Sequence, residues 1–217
     1  MAGRRVPELP DLDTTFEAVM FDWDGTAVPD RAADAAAVRE RVEALCSRGV
    51  HVLVVSGTHV GNVDGQLGAR PPGPGTLHLC LNRGSEVFEV TSEGPSLVWK
   101  RAASDLERQA LDRAASGIVE ELHVLGLEVQ VVSSRLNRRK IDLIPDPAWM
   151  DPPKARIAEL LEAVMSRLGA AGIERLGDVV SLAERVARSV GLDAPRVTSD
   201  AKHVEVGLTD KSDSGRW

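Results

Sequence analysis

The chain has 217 residues, 43% of them hydrophobic, enough to bury one substantial core or one core and a smaller inserted domain. A formal net charge of −7 and a pI of about 5.3 argue against the basic faces that meet nucleic acid backbones. No apolar run approaches the ~18 residues needed to cross a bilayer, and the opening Met1-Ala2-Gly3-Arg4-Arg5-Val6-Pro7 lacks the apolar centre of a signal peptide. The expectation is a soluble two-lobed protein without nucleic acid or membrane partners. Cys46 and Cys80 have no metal-ligand spacing and fall on a helix face and in a strand, which predicts buried reduced thiols and, with them, a cytoplasmic protein.

Residues 1 to 13 are polar and contain prolines, the pattern of a loose leader. The run Phe16-Glu17-Ala18-Val19-Met20-Phe21 reads as a short buried strand that ends in the turn Asp22-Trp23-Asp24-Gly25-Thr26. Asp-Gly is common turn chemistry, and Asp often caps a following helix. At the carboxyl edge of a sheet, where open α/β folds bind ligands, the same two acids point to phosphate and metal chemistry. After Pro29-Asp30 a helix is predicted to about Arg48, with Val38, Val42, Leu45 and Cys46 on one face and Gly49 as the stop. Val50-His51-Val52-Leu53-Val54-Val55 is the nearly continuous apolar strand that a doubly covered parallel sheet requires. A right-handed βαβ unit brings the two strand ends side by side, and with them Ser56-Gly57-Thr58 beside Asp22 and Asp24. Taken alone, Ser-Gly-Thr is a tight turn with a helix cap.

Ala69-Arg70-Pro71-Pro72-Gly73-Pro74-Gly75 is a loop, and Thr76 to Leu81 forms another strand leading to Asn82-Arg83-Gly84-Ser85-Glu86. Glu86 to Val90 alternates polar and apolar, and Leu97-Val98-Trp99 returns after a Gly94-Pro95 turn, an antiparallel pair. A helix follows from Arg101 to Leu125 with Leu106, Ala110, Leu111, Ala114 and Ile118 on one side. Leu127 to Val132 and Lys140 to Ile144 read as strands. Between them the basic stretch Arg135-Leu136-Asn137-Arg138-Arg139-Lys140 is by default a solvated hairpin tip, and alternatively a loop overhanging the acids to hold a phosphorylated sugar. Past Asp151-Pro152-Pro153 a helix carries Ile157, Leu160, Leu161, Val164, Met165 and Leu168 on one stripe, all expected in the core, and another helix spans about 179 to 190. Arg196 to Lys211 returns to strand-like alternation and then sets Lys211 beside a helix start, with Lys202 at the other end of that strand.

Phe21-Asp22-Trp23-Asp24-Gly25-Thr26 resembles the first motif of the haloacid dehalogenase (HAD) superfamily, Asp-x-Asp-x-Thr, whose first Asp is the nucleophile. Ser56-Gly57-Thr58 is similar to the second motif, in its sugar-phosphate phosphatase form. The role falls to Ser56, with Thr58 as the competing hydroxyl, and Thr58-His59 stands where that form has an Arg. Asn82-Arg83-Gly84 resembles the Asn-Gly segment that precedes an inserted cap, and Val204 to Lys211 resembles the third motif, with Lys211 in the Lys role. The resemblance implies an α/β fold. Residues 14–82 and 194–217 form a Rossmann-like parallel core, and residues 83–193 form an inserted α+β cap like that of trehalose-phosphatase, sucrose-phosphatase and phosphomannomutase relatives.

By the same resemblance, Asp22 attacks phosphorus and becomes an aspartyl phosphate, and Asp24 serves first as acid and then as base. Ser56, Gly57, Thr58 and Asn82 line the substrate, Lys211 offsets charge, and Asp22 and Asp24 hold Mg2+. The family's fourth motif, an acid-bearing Gly-Asp-x-x-x-Asp, has no counterpart, since six residues follow Lys211 and only Asp213 among them is acidic. The core is therefore expected to be C-terminally incomplete, leaving the Asp22 strand as an apolar sheet edge. That predicts a truncated frame, a fragment of a longer polypeptide or a degenerate member. Three functions fit: an Mg-dependent phosphatase of a phosphorylated small molecule such as a sugar phosphate, a module that binds phosphosugar without turnover, and a phosphomutase.

Overall fold

The structure, a computed structural model, describes residues 15–150, 152 and 154–216, so the expected leader at 1–13 lies outside the described residues. Three apolar runs form the parallel strands β1 (Ala18–Asp22), β2 (His51–Val55) and β3 (Leu77–Leu81). They are joined by the crossover helices α1 (Ala36–Ser47) and α2 (Val60–Leu67). The antiparallel strands β4 (Glu86–Thr91) and β5 (Gly94–Lys100) extend this sheet beyond β3, in the order β1-β2-β3-β4-β5. Val52, Val54, Leu77 and Leu79 are fully buried against Val42 and Cys46 of α1 and Val63 and Leu67 of α2. Register sets Asp22 opposite Val55 and Val55 opposite Cys80, so the three parallel strands end level with one another. That alignment places every loop after these strands on one edge.

A second unit follows. Helix α3 (Asp105–Val124) starts from a capping box in which the Ser104 hydroxyl accepts from Glu107 N–H and the Glu107 carboxylate accepts from Ser104 N–H. Strands β6 (Gln130–Arg135) and β7 (Arg138–Asp142), helices α4 (Ile157–Ala170) and α5 (Leu176–Ser189), and strands β8 (Arg196–Ser199) and β9 (His203–Gly207) complete it. The four strands form an antiparallel sheet in the order β6-β7-β9-β8, whose inner face packs on Leu111, Ile118, Leu122, Val164, Leu168, Val179 and Ala183. No helix among the described residues is long and apolar enough to cross a membrane.

Several expectations are corrected. The expected boundary at residue 194 does not follow the sheets: β8 and β9 belong to the second sheet, because Val204 and Val206 pack with Ile141 in the second core. The residue 83 boundary likewise leaves β4 and β5 in the first sheet. β1 lies at the edge of the described sheet, as expected, but with Met20 50% exposed it is not the buried strand that its apolar run suggests. Of the predicted α4 stripe, Leu160, Val164 and Leu168 are buried in the core. Ile157, Leu161 and Met165 lie on the outer flank of a stripe wider than the surface it covers, and on α3 Leu106 is exposed. The basic stretch is not a solvated tip: Arg135 closes β6, the turn is Leu136-Asn137, and Asn137, Arg138 and Arg139 are buried.

Candidate active site

The site is built where β1, β2 and the loop after β9 converge. Alternation along β1 turns Trp23 inward, where it is 1% exposed and its indole N–H donates to Gln66 Oε1 at 2.9 Å. Asp22 and Asp24, two apart, share the opposite side. The turn is closed by Gly25 N–H on the Val28 carbonyl (2.7 Å), with Gly25 at φ 83°, a backbone that favours glycine.

Lys211 Nζ lies 2.6 Å from Asp22 Oδ1, and the same oxygen accepts from Trp23 N–H at 2.9 Å. Asp22 Oδ2 makes no hydrogen bond among the described residues. Ser56 Oγ, one step past β2, donates to Asp24 Oδ2 at 3.2 Å, and Arg31 Nε stands 3.7 Å from Asp24 Oδ1. Asp22, Asp24, Ser56 and Lys211 therefore meet although they come from three separate stretches of chain.

The loop that carries Lys211 is fixed before any ligand arrives. Asp213 Oδ2 accepts from Asp210 N–H at 2.9 Å, and Asp210 Oδ1 accepts from Ser212 N–H at 2.7 Å. Arg196 of β8 reaches both carboxylates at 3.5 Å. Burial alone would raise Asp210, but the Ser212 bonds and Arg196 hold its carboxyl below the usual range. Gly84 packs against this loop so closely that a Cβ there would stand 2.3 Å from the Asp210 carbonyl oxygen. Asp213, the one acid after Lys211, is engaged with Arg196 and the Asp210 N–H.

Not every residue singled out in sequence reaches the acids. The Thr58 hydroxyl accepts from Asn62 Nδ2 at 2.7 Å and its N–H donates to Ser56 Oγ at 3.3 Å, so Ser56 alone of the two hydroxyls contacts an acid. Asn82 donates to Glu86 Oε2 at 2.5 Å, and its N–H donates to the Thr58 carbonyl, so it shapes the loop. The Gly57 carbonyl accepts from Arg138 Nη2 at 2.7 Å. Lys202 is buried in an ion pair with Asp142 at 2.6 Å, in the second sheet. Arg31, Arg83, Arg138 and Glu205 were not singled out individually. Arg138 carried a signal, the basic stretch, but its default reading put that stretch in solvent.

The donor set suits a hard divalent cation in kind, since Asp22 and Asp24 offer carboxylate oxygens. Among the described residues no group of three or more His, Cys, Asp or Glu side chains gathers at one point.

No family model matches the chain, and no curated protein matches it in sequence. Solved structures do. An N-terminally truncated, IMP-bound IMP-nucleotidase of Plasmodium falciparum is similar with a TM-score of 0.61 at 10% identity, over 93% of this chain and 54% of that one. The IMP-nucleotidase of the same organism in another structure gives 0.58 at 9% identity, over 94% and 49%. The trehalose-6-phosphate phosphatase C-terminal domain of C. albicans gives 0.47 at 15% identity, over 90% and 59%. The chain spans about half the length of the nucleotidase chains it matches. On the nucleotidase likeness, the chain shares the α/β fold of those structures, here a mixed five-stranded sheet followed by a unit built on a four-stranded antiparallel sheet.

Proposed function

We propose that this protein is a phosphohydrolase that removes a phosphoryl group from a small molecule by way of an aspartyl phosphate on Asp22. The observation that carries the reading is the meeting of Asp22, Asp24, Ser56 and Lys211 at the ends of β1 and β2. Both hydrogen bonds to Asp22 fall on Oδ1, which leaves Oδ2 as the oxygen directed to attack phosphorus. Attack there splits one displacement into two easier ones. Asp24 protonates the leaving oxygen and then takes a proton from the water that hydrolyses the acyl phosphate. Ser56 Oγ exchanges its Asp24 partner for a phosphoryl oxygen, and Lys211 offsets the charge that gathers on Asp22 and the transferring group.

Asp22 and Asp24 are the residues that would hold Mg2+, which supplies further neutralisation of phosphoryl charge when bound. A phosphorylated sugar or similar small molecule is the substrate class this reading favours. The direct test compares wild type with Asp22→Asn for Mg2+-dependent phosphate release from an aryl phosphate. Release by wild type and none by the folded variant supports the assignment, and equal release by both removes Asp22 as nucleophile.

A second reading follows from the two-carboxylate donor set: a module that binds phosphorylated ligands without turning them over. Calorimetric binding of a sugar phosphate with no phosphate release at millimolar Mg2+ would favour it.

A further inference from the structure

Beside the acids, the two units of the chain meet through a pair of arginines that the phosphoryl chemistry above does not use. Arg83 leaves the end of β3 with its N–H on the Ser56 carbonyl at 3.2 Å. Its side chain lies over Gly57, where a Cβ would stand 3.6 Å from Arg83 Cγ. Arg138 opens β7 in the other sheet and donates from Nη2 to the Gly57 carbonyl at 2.7 Å. Both approach Glu205 Oε2, Arg83 Nε at 2.7 Å and Arg138 Nε at 3.6 Å, and Lys140 Nζ is 3.5 Å from Oε1 of the same carboxylate.

One carboxylate thus faces three cations. Arg138 is 5% exposed, yet its Nε and Nη1 make no hydrogen bond among the described residues, and neither does Arg83 Nε, whose approach to Glu205 is close but misaligned. Buried guanidinium N–H groups without a hydrogen-bond acceptor are unfavourable, and although Glu205 Oε2 faces both Nε atoms as an ion-pair partner it too makes no hydrogen bond, so the cluster has donors left for a further acceptor. Burial pulls the Arg138 guanidinium below its ordinary value and Arg83 and Arg135 add to that, against the opposing pull of Glu205, consistent with a local excess of positive charge. Position matters as much as charge. Arg138 bonds the carbonyl of Gly57, the residue that follows Ser56, and Ser56 in turn is bonded to Asp24.

We propose that Arg83 and Arg138 seat a second anionic group of the substrate, a carboxylate or a second phosphate, so that the preferred substrate is a phosphorylated small molecule with an anion at each end. Planar guanidiniums bind either group with paired N–H bonds, and each unit contributes one. The proposal rests on the phosphohydrolase reading of the same site and narrows its substrate class.

The test uses matched substrates that differ in the second anion: glycerol 3-phosphate against 3-phosphoglycerate for the carboxylate, and fructose 6-phosphate against fructose 1,6-bisphosphate for the second phosphate. Wild type should favour the doubly anionic member of at least one pair by about tenfold or more in kcat/KM, and the pair that shows the preference identifies the group. In Arg83→Gln and in Arg138→Gln that ratio should fall to within about twofold of unity. Arg83→Gln guards against misfolding, since that side chain is already 21% exposed. If the arginines only clamp the units, both members lose equally and the ratio persists, which overturns the seat. Calorimetric titration of Asp22→Asn with the same four compounds separates the two claims. Tighter binding of a doubly anionic member without wild-type turnover keeps the seat and removes the hydrolase, whereas turnover without discrimination does the reverse.

Discussion

Lys211→Met separates a catalytic lysine from a structural one. Lys211 and Asp22 are 2.6 Å apart, but their side chains are 40% and 39% exposed. An ion pair that wet contributes about 0–1 kcal/mol to folding. For a chain of 217 residues the melting temperature should then move by no more than ~2–4 °C. When a phosphorylated substrate fills the site and displaces water, the same ammonium faces charge in a far less screened setting. Removing one such preorganised group lowers kcat by about 10²–10³-fold. The assay pairs steady-state phosphate release with thermal melts of both proteins. A loss of more than ~2 kcal/mol in stability with kcat preserved would refute the reasoning and make Lys211 a tether for its loop.

Gly84→Ala should act at the same place through the backbone. The new Cβ would meet the Asp210 carbonyl at a φ of +77°, so at least ~2 kcal/mol of stability and most activity should go together, read by chemical denaturation and turnover. Asn137 is 4% exposed and joins the connecting segments, accepting from Ala103 N–H at 2.9 Å and donating to the Arg101 carbonyl at 2.5 Å and to Ser85 Oγ at 3.1 Å. Asn137→Ala should lower stability by about 2–3 kcal/mol in urea melts. Ser56→Ala should reduce turnover more than Thr58→Ala, because the Thr58 hydroxyl is held by Asn62 and not by an acid, and comparing kcat for the two variants tests this. Burial pushes the Cys80 thiol up to about 11, so at pH 8 it should stay unlabelled by iodoacetamide in the native protein and react once urea unfolds the chain.

How far the sequence discloses this arrangement depends on the kind of force at each point. The runs before Asp22 and Ser56 and the Thr76 to Leu81 run specify parallel strands because continuous apolar character has few other uses, and level strand ends then bring Asp22, Asp24 and Ser56 together. Alternation at His203 to Gly207 specifies a strand but not its neighbours. Its place between β7 and β8 is decided by burial of Val204 and Val206, which depends on residues far away in the chain. Arg138 and Arg139 show the opposite case. Charge density argues for solvent, yet buried Glu205 faces Arg138 and the exposed carboxylate of Asp112 reaches Arg139 from α3, and partners across sheets and helices leave no local pattern. The outer half of the α4 stripe, Ile157, Leu161 and Met165, has the periodicity of a core face without a surface to cover it.

The central claim is that Asp22 carries the phosphoryl group. Wild-type protein, mixed with excess substrate and Mg2+ and quenched in acid, can be reduced with borohydride and digested for mass spectrometry, which converts an aspartyl phosphate to homoserine. Homoserine at position 22 and at no other acid is the predicted result. Steady release of phosphate with Asp22 unmodified, or with the label at Asp24 or elsewhere, would contradict it.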